Sequence, residues 1–321
     1  MDGILLGFSV VGVLVLTGTG IAGIAPGTAG TIQRGVTPLV YWVTTPCLMV
    51  VLVSRADVRE IVGLYTPAAL VIALLTGGVF AGLGLLLGRR PRDVVAGAMA
   101  SSYVNAGNIG VPIAVYMVGS TAPVVSVLLA QLLVLAPLYL TLFGLLSAGE
   151  APGEPTSGRR VRRRRARMRT VAGSLLNPVT VGVLIGGTIS LTGARPPAPI
   201  WEPLRMLGEA SIPLMLLIFG MALRQERPFA VREHVLGGIL GTACKVVLMP
   251  ALAWVIGGPL LGLEGQELLG VVIMAALPTA QNVHVFSGQH GMETTVVKDV
   301  IVSSSVLALP TVLLLAWLLG A

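Results

Sequence analysis

Charge is what this sequence has least of. Asp, Glu, Lys and Arg make up 11% of its 321 residues, against roughly 25% in a soluble domain, too few to coat a water-facing surface. Cysteine is sparser still. Cys47 and Cys244 each lie inside an apolar run, which excludes a secretory disulfide framework and a thiolate metal site. The three histidines, His234, His284 and His290, do not make the His-Glu-x-x-His spacing of a zinc protease, and no GxxxxGK[ST] loop is present to drive an ATP-powered pump. Ser101 or Ser102 with Lys245 would supply the residue types of a nucleophile and base, but nothing in the pattern points to an enzyme. No cofactor or metal is called for.

Apolar residues fill the gap: 55% of the chain is hydrophobic and the mean hydropathy is +0.90. Long apolar runs fall at 4–24, 35–53, 61–88, 94–118 and 123–147. Five more follow at 175–192, 203–223, 234–257, 267–289 and 296–319. At about 20 residues per membrane crossing, these predict an all-α membrane protein of ten transmembrane helices. The organisation is a first five-span unit over 1–147, a basic linker over 148–172 and a second five-span unit over 173–321. Met1-Asp2-Gly3 carries no basic n-region, so the first run reads as a span and not as a cleaved signal.

The positions of the basic residues orient the chain. With the N-terminus outside, the inside connections hold Arg34, then Arg89, Arg90 and Arg92, then eight linker arginines between Arg159 and Arg169, then Arg224, Arg227 and Arg232. The outside holds Arg55, Arg59, Arg195 and Arg205. The positive-inside rule therefore predicts both termini outside and the linker in the cytoplasm of a plasma or inner membrane. The arginine run has no interleaved aromatic residue, which argues against nucleic acid and for anionic lipid headgroups.

Five is an odd number, so two copies of a five-span unit insert in opposite orientations. Weak internal likeness supports a repeat. Gly119–Pro137 and Gly291–Pro310 both run from a glycine through a threonine and a paired valine to Leu-Ala and proline. Thr45-Pro46-Cys47-Leu48 and Ile212-Pro213-Leu214-Met215 share a Pro-x-Leu-like element. Inverted repeats are the signature of alternating-access carriers, whose site lies where two broken spans meet near the midplane. The fourth span contains Asn105-Ala-Gly-Asn108-Ile-Gly-Val-Pro112 and the ninth Leu277-Pro278-Thr-Ala-Gln281-Asn282-Val-His284. Prolines and glycines there predict interrupted helices. Interrupted helices expose half-helix N-termini, which attract anions, and Asn105, Asn108, Gln281 and Asn282 add neutral donors. The expected ligand is a small organic anion, most simply a carboxylate. Lys245, about eleven residues into the eighth span, is too deep to snorkel and is expected to pair with the substrate or a counter-residue. His284 is the candidate for a coupling proton. Lys298 and Asp299 read as snorkelling at the start of the tenth span, and outside the span ends no acidic side chain is expected to be buried.

The order of these elements resembles the auxin efflux carrier family, which includes the plant PIN proteins and bacterial malate-permease-like carriers. The matching residues are Asn105-Ala-Gly-Asn108-Ile-Gly110-Val-Pro112, Pro46-Cys-Leu48, Asn177-Pro178, Pro213-Leu214, Lys245 with Pro250, and Leu277-Pro278. The resemblance implies crossed fourth and ninth helices and a panel moving against a scaffold that contains the second and seventh spans. It also implies a homodimer and carboxylate efflux. Asn105 and Pro112, with Pro278 and Gln281 or Asn282, would form the crossover. The linker is shorter than the cytoplasmic loops common in the plant proteins, so their phosphorylation control is not carried over. The competing reading is a sodium-coupled organic-anion symporter of the bile-acid type, whose sodium sites favour an acidic residue where this chain has Gln281-Asn282. A passive channel would not need two broken helices, and a sensor would need an output domain.

Overall fold

Apolar runs interrupted mainly by small residues fold as helices here, and the computed structural model is all-helical over the residues it describes. These are 2–55, 61–148, 178–194, 196–222, 229, 231–292 and 294–320. The eight linker arginines, Asn177, and Arg59, Arg195, Arg224 and Arg227 lie outside them. The helices are α1 (Asp2–Ile24), α2 (Pro26–Ser54), α3 (Gly63–Leu86), α4 (Pro91–Ser102), α5 (Ala106–Val118) and α6 (Ala122–Leu146). They continue with α7 (Pro178–Thr192), α8 (Ala198–Ala222), α9 (Val235–Leu260), α10 (Gly265–Ala276), α11 (Asn282–Gln289) and α12 (Thr295–Gly320). Of these, α2, α3, α6, α8, α9 and α12 are long and apolar enough to cross a membrane. The runs at 94–118 and 267–289 are each broken into a pair of shorter helices, α4 with α5 and α10 with α11.

Proline shapes the long helices without ending them. Pro46, Pro137 and Pro250 lack the N–H that would bond one turn back. A wide π turn precedes each, at Val40–Thr44, Gln131–Leu135 and Cys244–Leu248. Such turns take up a residue whose ordinary helical bond is missing.

Two bundles result. In the first, α1, α2, α7 and α8 pack on one another. Small residues let the backbones touch: Gly18 abuts the Leu217 carbonyl, Gly220 abuts the Val15 carbonyl, and a Cβ on Gly186 would lie 2.8 Å from the Val50 oxygen. Thr19 Oγ1 adds a 2.9 Å bond to the Gly220 carbonyl. Lipid gives apolar helices no hydrophobic reason to associate, so this close van der Waals fit supplies the attraction. The second bundle groups α3, α4, α6, α9, α10 and α12. From it α5 reaches across to α1 and α8.

One acidic residue is buried near the start of a span. Asp299, 3% exposed on α12, accepts the Phe229 N–H at 2.8 Å through Oδ1. Gly238 explains why it fits. A Cβ there would sit 2.9 Å from the Asp299 Cβ, so only a residue without a side chain lets α9 and α12 approach around the carboxylate.

Gly186→Leu should destabilise the first bundle by about 1–3 kcal/mol, the usual cost of overpacking. It is read as a lowered melting temperature in detergent. Gly187→Leu, where an added Cβ meets nothing within 4 Å, should leave the melting temperature unchanged; equal effects would refute the packing account.

Candidate functional site

The two interruptions arise by different local chemistry. On α10, Pro278 crowds the backbone of the residue before it and drives that residue out of the helical region. Leu277 accordingly adopts φ −58°, ψ 148°, and α10 stops at Ala276. No proline stands at the end of α4. There Ser101 and Ser102 turn their hydroxyls back onto the Ala98 carbonyl, at 3.1 and 2.7 Å, a bond that competes with regular helix. Tyr103 then leaves at φ −98°, ψ 106°. Pro112 lies further along, buried inside α5 between the wide turns Ala106–Gly110 and Ala114–Val118.

The extended residues cross as an antiparallel bridge centred on Val104 and Thr279. The Asn105 N–H donates to the Pro278 carbonyl at 2.7 Å, and the Ala280 N–H donates to the Tyr103 carbonyl at 3.1 Å. Neighbouring helices satisfy more of the backbone. Gln131 Nε2 of α6 donates to the Val104 carbonyl at 2.9 Å, and the Thr279 N–H donates to Ser304 Oγ of α12 at 3.0 Å. The Asn282 side chain lies beside the buried Tyr103 hydroxyl, bringing side chains of the two breaks together.

Each half-helix C-terminus has a side-chain donor. Thr279 Oγ1 donates to the Ala100 carbonyl of α4 at 2.6 Å. Lys245, fully buried on the π turn of α9, donates its Nζ to the Ala275 carbonyl of α10 at 2.7 Å and contacts Met249 Sδ at 3.0 Å. Its Nζ therefore donates at the C-terminal end of α10, where helix carbonyls lack partners of their own. The N-termini are not alike. Asn105 caps α5, its side-chain oxygen accepting the Asn108 N–H at 3.3 Å. At α11 the Gln281 side chain makes no such cap.

That α11 N-terminus faces a cavity of about 650 Å³. Its walls come from α2, α8, α11 and α12, and its polar lining includes Gln33, Arg34, Gln281, His284, Lys298 and Ser305. Arg34, Lys298 and His284 are the basic groups, and no acidic side chain lines it among the described residues. It opens at the end of the bundle where α8 finishes and α12 begins. The start of α4 lies at the same end, where Arg92 reaches the Leu146 carbonyl of α6 at 3.1 Å.

The residues singled out from sequence thus separate. Gln281 and His284 line the vestibule. Asn105, Pro278 and Asn282 hold the crossover together, Pro112 is buried in α5, and Asn108 is exposed near the start of α5. Lys245 lies beside the last turn of α10, on a backbone carbonyl. Sequence reasoning missed Thr279, Gln131 and Ser304, which complete the crossover, and it read Arg34 and Lys298 as topology and snorkelling. A lone glutamine in the run Val127–Leu135 and a serine triplet at Ser303–Ser305 were the available signals.

A family model described as "Membrane transport protein" matches residues 30–316. Among curated proteins, the chain is similar to a "Putative malonate transporter" of Rhizobium meliloti (strain 1021). The two are 26% identical over 294 residues, covering 87% of this chain and 85% of that protein.

Thr279→Val keeps the side-chain shape but leaves the Ala100 carbonyl without its hydroxyl donor. A buried acceptor left unpaired costs about 1–3 kcal/mol, so thermal melts should show a clear loss of stability. An unchanged melting curve would mean that the crossover does not depend on this bond.

Proposed function

The chain belongs to the membrane transport protein family, and on that premise we propose that it is a secondary carrier of small organic anions, carboxylates above all, working by alternating access. The observation that carries this reading is the vestibule. It runs from the uncapped N-terminus of α11, where N–H groups face outward and the helix dipole is positive, past His284 to Arg34 and Lys298. An anion entering meets favourable charge along the whole path. Gln281, exposed at its inner end, supplies a neutral donor for a carboxylate oxygen.

The architecture we infer is ten spans in two inverted five-span repeats, α4–α5 and α10–α11 being the broken fourth and ninth. Contacts between equivalent residues support it. Thr44 and Ser211 stand two places before Pro46 and Pro213 and hydrogen-bond to each other at 3.0 Å. The same separation in sequence relates Val50 to Leu217, and these present their carbonyls to Gly186 and Gly18 in turn. Val104 and Thr279, which pair at the crossover, each follow a helix end containing Met-Ala, at Met99-Ala100 and Met274-Ala275. Equivalent residues meet face to face only where a two-fold relation passes between them. On this reading α1, α2, α7 and α8 are the scaffold and the other bundle moves. The charge bias of the connections puts the linker, and the vestibule at the same end, in the cytoplasm. The conformation described is then inward-facing.

Within that scheme Gln281 and the α11 N-terminus contact the substrate, and Asn105, Asn108, Asn282, Pro112 and Pro278 shape the broken segments. Lys245 steadies α10 from behind through the Ala275 carbonyl, and His284 is the candidate proton carrier. The malonate named for the Rhizobium relative makes short dicarboxylates the first compounds to try.

Reconstituted protein on a solid-supported membrane, given mono- and dicarboxylates and indole acids with and without sodium, should yield sodium-independent charge movement for some carboxylates. Currents that require sodium would replace this reading with the symporter of the bile-acid type, and silence across the panel would remove the anion assignment. Gln281→Ala should weaken the apparent affinity for the transported anion about tenfold, the loss of one charge-assisted hydrogen bond, with little change in melting temperature. His284→Gln should abolish pH dependence of the current; a retained pH profile would rule out the proton role.

A further inference from the structure

Three buried oxygens line the seam between α9 and α12 without a hydrogen-bond partner. They are Asp299 Oδ2, Ser303 Oγ and Thr242 Oγ1, on residues 3%, 8% and 8% exposed. Close approaches set the register of this seam. A Cβ on Gly237 would meet Val296, one on Gly238 would meet Asp299, and one on Gly241 would meet Val300. Both numbers rise together, so the two helices run parallel here. Gly238 and Asp299 form one rung, and Thr242 and Ser303, each four residues on, form the next. Residues four apart on a helix are neighbours, with about 5–6 Å between their Cβ atoms, so the three oxygens form one cluster.

The carboxylate is aimed into that cluster. The Phe229 N–H holds Oδ1 at 2.8 Å, and Oδ2 turns toward α9, 3.1 Å from where a Gly238 Cβ would lie. A serine or threonine hydroxyl inside a helix can donate to the carbonyl four residues back, yet Thr242 and Ser303 make no such bond. A ligand that takes their lone pairs leaves their hydrogens free to make it. Carboxylate and hydroxyl oxygens suit a hard cation and not a transition metal, and a single carboxylate matches a single positive charge. A proton on Oδ2 would give a donor to only one hydroxyl, whereas a cation engages all three oxygens. Gly237, Gly238 and Gly241 hold the helices close, which favours a small ion. Lys245, three residues past Thr242, is committed to the Ala275 carbonyl.

We propose that Asp299, Ser303 and Thr242 bind a sodium ion that clamps α12 to α9. None of the three lines the vestibule, so the ion is a fixed part of the bundle and not cargo. Ser304, the next residue along α12, accepts the Thr279 N–H at the crossover. The clamp thereby steadies the crossing from behind, and it does not rest on the anion-carrier reading.

Melting of the purified full chain in detergent tests the clamp without transport. At constant pH and ionic strength, sodium chloride at about ten times its half-effect concentration should raise the melting temperature about 2–4 °C above choline chloride. Potassium chloride should not. Asp299→Asn keeps an acceptor for the Phe229 N–H and should lose the sodium shift. Ser303→Ala and Thr242→Val should each raise the half-effect concentration about tenfold, the loss of one polar contact. Equal melting temperatures in sodium, potassium and choline would overturn the site, as would a sodium shift retained in Asp299→Asn. Stability that follows pH in the parent but not in Asp299→Asn, with no sodium effect, would give the carboxylate a proton and also overturn it. Should Asp299→Asn fail to fold, the two hydroxyl variants decide: an unchanged half-effect concentration in both refutes the clamp. No organic anion enters these melts, so failure here is distinguishable from failure of the carrier reading, which the currents test.

Discussion

A helix interrupted inside a membrane frees backbone groups that lipid cannot satisfy, each at a cost of several kcal/mol. In this protein two interruptions answer each other. The Asn105 N–H and the Tyr103 carbonyl of one break bond the Pro278 carbonyl and the Ala280 N–H of the other. Much of the surrounding structure serves that crossing. Gln131 on α6, Ser304 on α12, Thr279 and Lys245 each point a polar atom at a backbone group in or beside a break. The small residues of α4, from Ala96 to Ser102, are buried on all sides, which lets the neighbouring helices come close enough to supply those bonds.

The crossing has an electrostatic consequence. Half-helix ends carry partial charges, and the fold treats the two kinds of end differently. The C-termini of α4 and α10 are met by Thr279 and Lys245 from within the protein. The N-terminus of α5 is capped by Asn105, whereas that of α11 has no side-chain cap and opens on the vestibule. Positive potential is thereby left available at one place, and the vestibule runs outward from it past Arg34 and Lys298. Lys245 strengthens the arrangement indirectly, because its buried Nζ donating to the Ala275 carbonyl ties α9 to α10 without facing the vestibule.

Particular residues mark how far the sequence could be read. Pro278 was legible as a helix stop, because its effect on Leu277 is purely local. The stop at Ser102 lies just before the Asn105–Pro112 stretch that the sequence marks as broken, since two serines folding onto the Ala98 carbonyl leave no pattern that differs from serines in an intact helix. The depth of Lys245 announced a buried charge, but its partner is a main-chain carbonyl thirty positions away, and main-chain groups are the same in every residue. Asp299 reads as a charge near a helix end, and only the fold sets Gly238 against it. The broken spans and their amides were legible as a candidate site, while the vestibule's basic lining was not, because its residues come from four separate helices.

By itself the sequence determined that this chain lives in a membrane as helices and that two of its apolar runs are broken. Those properties follow from composition and from the local behaviour of proline and glycine. Only the tertiary structure decided which break bonds which, which amides hold the crossover and which face the cavity. It alone decided that Arg34 and Lys298 share a vestibule. Such facts depend on how distant segments pack, and a lipid-facing surface is too uniform in its apolar residues to record that packing in the order of the chain.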